Sequence, residues 1–213
     1  MKIIMYHYVQ EFERVLPNFR FLDIRNFKKQ LDFFEENFGF ISREDWNEIL
    51  LKRKIGRHQG KVLLTFDDAV KCHFKYVFPE LKKRGLWGIF YIPTKPFKEN
   101  KLLDVHRIHL LCGAFNGKDL LGILLNNIKD EMIPDRKIKQ FKEKTYVSQD
   151  NFTGVSEFKR ILNYYVSYKF REELIDQVSK EFGYLFDVSK FYVSKENLKS
   201  MSKDGNLIGS HTV

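Results

Sequence analysis

One stretch of the chain shows no polar alternation: Lys61-Val62-Leu63-Leu64-Thr65-Phe66 runs straight into Asp67-Asp68. A continuous apolar run of this length predicts a strand covered on both faces, as in parallel sheets flanked by helices. Alternation would set Thr65 and Asp67 on one side and Phe66 on the other, with Asp68 joining Asp67 only because the strand ends there. Before it, Lys2 to Val9 reads as a first strand rich in β-forming bulk. Ile24, Phe27, Leu31, Phe34 and Phe38 recur at helical spacing between a capping Asp23 and Gly39. Phe40-Ile41 reads as a short strand. Ser42 opens a second helix carrying Trp46, Ile49 and Leu50, with Asp45 in an approximate capping box. Beyond Asp68, Phe74, Val77, Phe78 and Leu81 mark a helix that Pro79 should bend and Gly85 should end. Leu86 to Ile92 reads as the next buried strand, and Pro93 and Pro96 break it. From about residue 99 to 190 the pattern turns helical, with stripes such as Val105, Ile108, Leu111 and Leu120, Ile123, Leu124. Ser194 begins a last helix, Asp204-Gly205 is a turn, and Leu207-Ile208 is a short strand.

Composition narrows this picture only a little. The chain has 213 residues, 43% hydrophobic and 31% charged, which fits one globular domain with or without an insertion. No apolar run is long enough to span a bilayer, and polar residues interrupt the N-terminus too early for a secretory segment, so a cytoplasmic protein is expected. Cys72 and Cys112 stand in no metal-ligand spacing and read as free thiols. The net charge of +9 could serve a polyanion, but lysines such as Lys28, Lys29, Lys52, Lys54, Lys82 and Lys83 are spread over several predicted helices. No arginine-rich block or nucleic-acid motif accompanies them, and a nucleic-acid partner is not expected.

Paired carboxylates at the mouth of a buried strand are costly to desolvate unless a positive group meets them. A helix cap or a turn is the structural alternative. The tetrad Thr65-Phe66-Asp67-Asp68 resembles the first motif of the polysaccharide deacetylase family, the chitin-deacetylase-like carbohydrate esterases. Phe78 to Gly85 and Gly88 to Thr94 are similar to that family's next helix and strand, and Asn206-Leu207-Ile208-Gly209-Ser210-His211-Thr212 to the start of its second motif. The resemblance implies an α/β fold: a partial, distorted (β/α) barrel forming a single incomplete domain over 1–213, with a helical insertion at about 99–190. Loops at that end of a barrel shape access to the site, so the insertion would be a cap or, equally, a subunit contact.

Carried onto this chain, the resemblance makes Asp67 the catalytic base and Asp68 and His211 metal ligands. His7, in a Tyr-His pair like that of the family's opening strand, could approach the mouth, a core histidine being the alternative. The cofactor implied is a divalent metal, zinc first, with cobalt, nickel or manganese as alternatives. The partner implied is an acetylated carbohydrate, and the reaction is hydrolysis of its N- or O-acetyl group. Two departures stand out. Ala69 occupies a position where the family usually has glycine, and the second metal-binding histidine would fall two positions beyond Val213. Metal affinity should then be weak, and no residue can be matched to the family's later arginine and histidine. A truncated, inactive relative or a carbohydrate-binding module is the runner-up reading; a basic interaction protein unrelated to hydrolases is the third. His106 and His109 share a helix face, but their apolar neighbours favour structural roles over a metal pair. Tyr164, Tyr168 and Phe170 could stack on a sugar only if exposed.

Overall fold

A computed structural model describes residues 1–53, 56–134, 137 and 154–211. Lys54 of the predicted basic surface and Thr212 of the second motif lie outside the described residues. The chain divides into two compact units: Met1–Phe12, Arg20–Lys101 and Asp187–Val213 make the first, Glu13–Phe19 and Leu102–Phe186 the second.

In the first unit, strands β1 (Lys2–Tyr6), β4 (Val62–Phe66), β5 (Ile89–Ile92) and β6 (Leu207–Ser210) form one sheet in the order β1-β4-β5-β6, every pair parallel. The short strands β2 (Val9–Gln10) and β3 (Leu22–Asp23) pair separately. Every residue of β4 is buried, as its unbroken apolar run predicts. One face of the sheet gives Tyr6, Val62, Leu64, Phe66 and Phe90 to a cluster with Phe27 and Leu31 of α1 (Ile24–Asn37), Leu81 of α3 (Phe78–Lys83) and Met201 of a late helix. The other packs Leu63 and Ile89 against Ile41 and against Ile49 of α2 (Arg43–Lys52). Asp23 and Ser42 cap α1 and α2 as expected, each side chain accepting a backbone N–H of the first turn.

Several boundaries differ from the pattern for identifiable reasons. Leu86 is taken up by the end of α3, where Gly85 turns left-handed and the Leu86 N–H donates to Leu81 O, so β5 starts only at Ile89. Pro79 cannot donate a helical hydrogen bond, and the turn before it, His73–Val77, is π-helical, with the Phe78 N–H reaching His73 O. Pro96 does not end structure but sits in the first turn of α4 (Lys95–Glu99), where a missing N–H costs nothing. Phe40 makes only an isolated bridge to Val62.

The resemblance implies a barrel; among the described residues the sheet does not close. It stops at β1 on one side and β6 on the other, and four strands fall well short of the roughly eight that enclose a packed interior. The architecture is therefore an open parallel α/β sheet. Its edges are apolar: Ile3 and Met5 of β1 are 59% and 54% exposed, and Ile208 of β6 is 37% exposed.

The second unit is helical, with α5 (Asp104–Ala114), α6 (Gly117–Asn127), α7 (Val155–Arg160) and α8 (Tyr168–Glu181) around Ile108, Leu111, Leu120, Leu124, Phe158 and Leu174. The stripe Phe158, Ile161, Leu162, Tyr165 is core, and His106 is fully buried on α5. Cys72 and Cys112 are buried thiols, joined in no disulfide. Asp187–Val213 returns to the first unit through α9 (Val188–Phe191) and α10 (Lys195–Lys203), the latter with a complete capping box at Ser194 and Asn197. Among the described residues no helix is long and apolar enough to cross a membrane.

Candidate functional site

Because the four strands are parallel, their carboxyl ends all emerge at one end of the sheet. His7 follows β1, Asp67 and Asp68 follow β4, and His211 follows β6, so residues far apart in sequence meet there. Backbone bonds between neighbouring strands fix two of them: the Asp67 N–H donates to Tyr6 O, and the His211 N–H to Ile92 O, both at 2.9 Å.

His211 Nε2 lies 3.6 Å from Asp67 Oδ2 and 3.9 Å from Asp68 Oδ1. His7 Nε2 lies 3.6 Å from Asp68 Oδ2, on the other carboxylate oxygen. The four side chains are partly open, from 14% exposed for Asp68 to 42% for His7, so water and a ligand can reach them. The structure thus brings all four of the residues singled out in the sequence to one place.

A divalent cation with bonds of about 2.1 Å to each of two ligands spans donors up to about 4 Å apart. At the tetrahedral angle two such donors stand about 3.4 Å apart, so Asp68 and His211, separated by 3.9 Å, would draw together by about 0.5 Å to serve as two of the three protein ligands that a hydrolytic metal ordinarily takes. Among the described residues, three ligand atoms all within 4.8 Å of one another occur elsewhere, at Asp45, Glu48 and His58. That set could hold a cation, but its groups are already engaged. The buried His58 ring turns Nδ1 to Asp45 and Nε2 to Glu48, Lys61 Nζ lies 2.9 Å from Asp45, and Lys52 Nζ lies 2.8 Å from Glu48. The Lys61 hydrogen bond holds the Asp45 carboxyl below its ordinary range. The Lys61–Asp45 ion pair fastens α2 to the approach of β4, and a cation at this set would have to displace both lysines.

Asp68 and Ala69 both adopt left-handed backbone, with φ of 76° and 52°. Ala69 therefore holds a left-handed conformation that ordinarily favours glycine. The segment 189–193 holds this turn: the Val193 N–H donates to Ala69 O, Tyr192 bridges Val70, and Lys71 Nζ donates to Ser189 O. Strain of this kind persists where surrounding contacts over-determine it. Alanine at positive φ costs about 1–2 kcal/mol, and glycine gives back about 0.5–1 kcal/mol through the flexibility of the unfolded chain. Ala69→Gly is accordingly expected to stabilise the protein by about 0.5–1 kcal/mol, read as a raised urea midpoint.

Two further groups face this turn without having been singled out in the sequence. Burial, and then the Asp68 charge, push the Tyr8 phenol well above its usual range, so it stays neutral. His73 is wholly buried, edge-on to Phe66 and Phe90, and its Nε2 hydrogen-bonds the His7 carbonyl oxygen. Burial pushes its pKa down from 6.5 to about 4. As pH falls from 6.5 towards 4, the unfolded chain takes up a proton that the folded one refuses, and stability drops at about 1.4 kcal/mol per pH unit. Over that interval the loss sums to about 3 kcal/mol of stability, fully present above pH 6.5 and gone by about pH 4. Urea titrations across that window should show the loss, and His73→Leu should flatten it.

No protein-family model and no curated protein matches the chain. Among solved structures, a de-N-acetylase from Aggregatibacter actinomycetemcomitans is similar over 98% of this chain and 53% of its own, at 12% identity and a TM-score of 0.43. This chain thus spans about half the length of that protein. The Streptococcus pyogenes deacetylase PplD, in complex with acetate, is similar over 95% of this chain and 79% of its own, at 16% identity and a TM-score of 0.37. IcaB from Ammonifex degensii is similar over 95% of both chains, at 17% identity and a TM-score of 0.36. At these scores the likenesses carry no argument, and the functional reading rests on the site.

Proposed function

We propose that the chain carries the acetyl-hydrolysing site of a metal-dependent deacetylase acting on an N- or O-acetylated sugar. The observation that supports it most is the meeting of Asp67 and Asp68 with His211, which are separated by more than half of the chain and joined only by the parallel sheet. On this reading residues 1–213 belong to one deacetylase-like domain, with the helical stretch at about 99–190 as an insertion in it.

Asp68 and His211 would hold the divalent ion, zinc first. When bound, such an ion supplies Lewis acidity, making water acidic near roughly pH 7 and polarising a carbonyl. Asp67, beside His211, takes the proton of the attacking water. Water oxygen bonds to the acetyl carbon, and collapse of the tetrahedral adduct breaks the bond to the sugar nitrogen or oxygen. The leaving group needs a proton, and His7 is the second imidazole at the mouth able to deliver it. Acetate and the free amine or hydroxyl are the products.

Acetate release from N- and O-acetylated oligosaccharides, with added zinc, cobalt, nickel or manganese, tests the reading. The expected result is metal-stimulated release that Asp67→Asn removes while leaving the fold intact. Oligosaccharide binding without acetate would establish the binding-module reading instead; neither binding nor release would leave a basic α/β protein of another kind.

A further inference from the structure

His73 is the feature of the site that packing alone does not account for. It is completely buried among Phe66 and Phe90, and its Nδ1 has no hydrogen-bond partner. An aliphatic side chain of similar size would fill the same space without burying an unpaired nitrogen, which ordinarily costs stability. What a leucine could not supply is the other nitrogen. A carbonyl oxygen can only accept, so the Nε2 facing His7 O must carry the hydrogen, and the ring is the neutral Nε2–H form with its lone pair on Nδ1.

The place where that bond is made gives it meaning. The β1–β4 ladder runs in register from Lys2↔Val62 to Tyr6↔Phe66, and Tyr6 O is still taken by the Asp67 N–H. One residue further on, the chain bends out of the strand, and the His7 carbonyl turns to the ring of His73. The predicted strand Lys2 to Val9 is broken at this point. The bend puts the His7 imidazole over Asp68 instead of continuing the alternation of β1. His73 is itself anchored in the helix that follows the carboxylates, its N–H donating to Val70 O just beyond Ala69.

We infer that His73 is a positioning residue, whose Nε2–H holds the His7 carbonyl so that the His7 ring stands against Asp68 at the mouth of the sheet. It touches neither metal nor substrate and acts through His7. A positioned imidazole matters because proton delivery requires the donor within hydrogen-bond reach of the departing atom. A pinned backbone carbonyl fixes that placement more firmly than side-chain contacts alone. The inference deepens the deacetylase reading and rests on it for its functional meaning, but the placement it describes can be measured without turnover.

The test uses metal-free full chain with isotope-labelled histidine. Long-range ¹⁵N correlation should show the His73 ring protonated on Nε2. Asp68→Asn should shift the His7 ring resonances, because the carboxylate lies beside them. The same change made in His73→Leu should shift them by less than half as much, whereas His73→Gln, whose amide can reach the same carbonyl, should restore the shift. In an active preparation, His73→Leu should lower kcat with KM little changed, and His73→Gln should recover most of the rate. A His73 ring protonated on Nδ1, or a His7 response to Asp68→Asn that is equal in the leucine variant and wild type, overturns the inference. Should His73→Leu fail to fold, the wild-type tautomer and the glutamine variant still decide it. Absence of acetate release in every preparation would sink the deacetylase reading while leaving the His7 response to be read on its own.

Discussion

Asp68→Asn is expected to weaken zinc binding by more than about 100-fold, measured by competition with a chromophoric chelator near neutral pH. Losing a hydrogen-bonding partner one shell removed from a metal typically costs 10–100-fold, and Asp68 is proposed as a ligand itself. The substitution isolates this effect well. Asp68 sits at a φ of 76°, and asparagine tolerates left-handed backbone at least as readily as aspartate, so the turn should survive. His211→Ala should act in the same direction, and the two together should cost less than the sum of the separate losses, because both remove one site. Unchanged zinc affinity in both variants would remove the metal from the reading.

The second large effect concerns stability. Phe66 is fully buried on β4, stacked on Phe90 at 4.7 Å and on Tyr6 at 5.6 Å, with Phe27 edge-on at 6.2 Å. Phe66→Ala is expected to destabilise the first unit by about 3–5 kcal/mol, the cost of a lost aromatic ring and the cavity left by it. Gly88 passes so close that a Cβ there would come within 2.7 Å of the Phe66 ring, which shows how tightly the space is filled. Chemical denaturation measures the loss. Because Phe66 directly precedes Asp67, the variant should also weaken metal binding before it unfolds, through looser placement of the two carboxylates. A loss below about 1 kcal/mol would mean that the aromatic stack repacks around the gap.

The part of this architecture that the sequence makes legible is the part with strong local periodicity. The unbroken run Val62–Phe66 is buried on both faces, and Asp23, Ser42 and Ser194 cap helices where their spacing places them. Asp67 and Asp68 stand out at the end of an unbroken apolar run, whereas His7 and His211 could be singled out only because their segments resemble motifs of the polysaccharide deacetylases. What escaped is what depends on contacts between distant segments. His73 reads locally as one more polar residue at the start of a helix, and only the bend at His7 gives it a partner. Segment 189–193 carries no pattern that announces its pairing with 69–71. Ala69 illustrates a further limit: a residue type that disfavours positive φ was placed there by the surrounding bonds, not by its own preference.

The unmatched margin of the sheet has a consequence for the protein in solution. Among the described residues, β1 offers a row of backbone donors and acceptors with no strand on its outer side, next to the exposed side chains of Ile3 and Met5. Such borders recruit any extended chain they encounter, including another molecule of the same kind. Light scattering should therefore grow with concentration and on mild warming, before the aromatic interior melts, and a lysine introduced at Ile3 should suppress it.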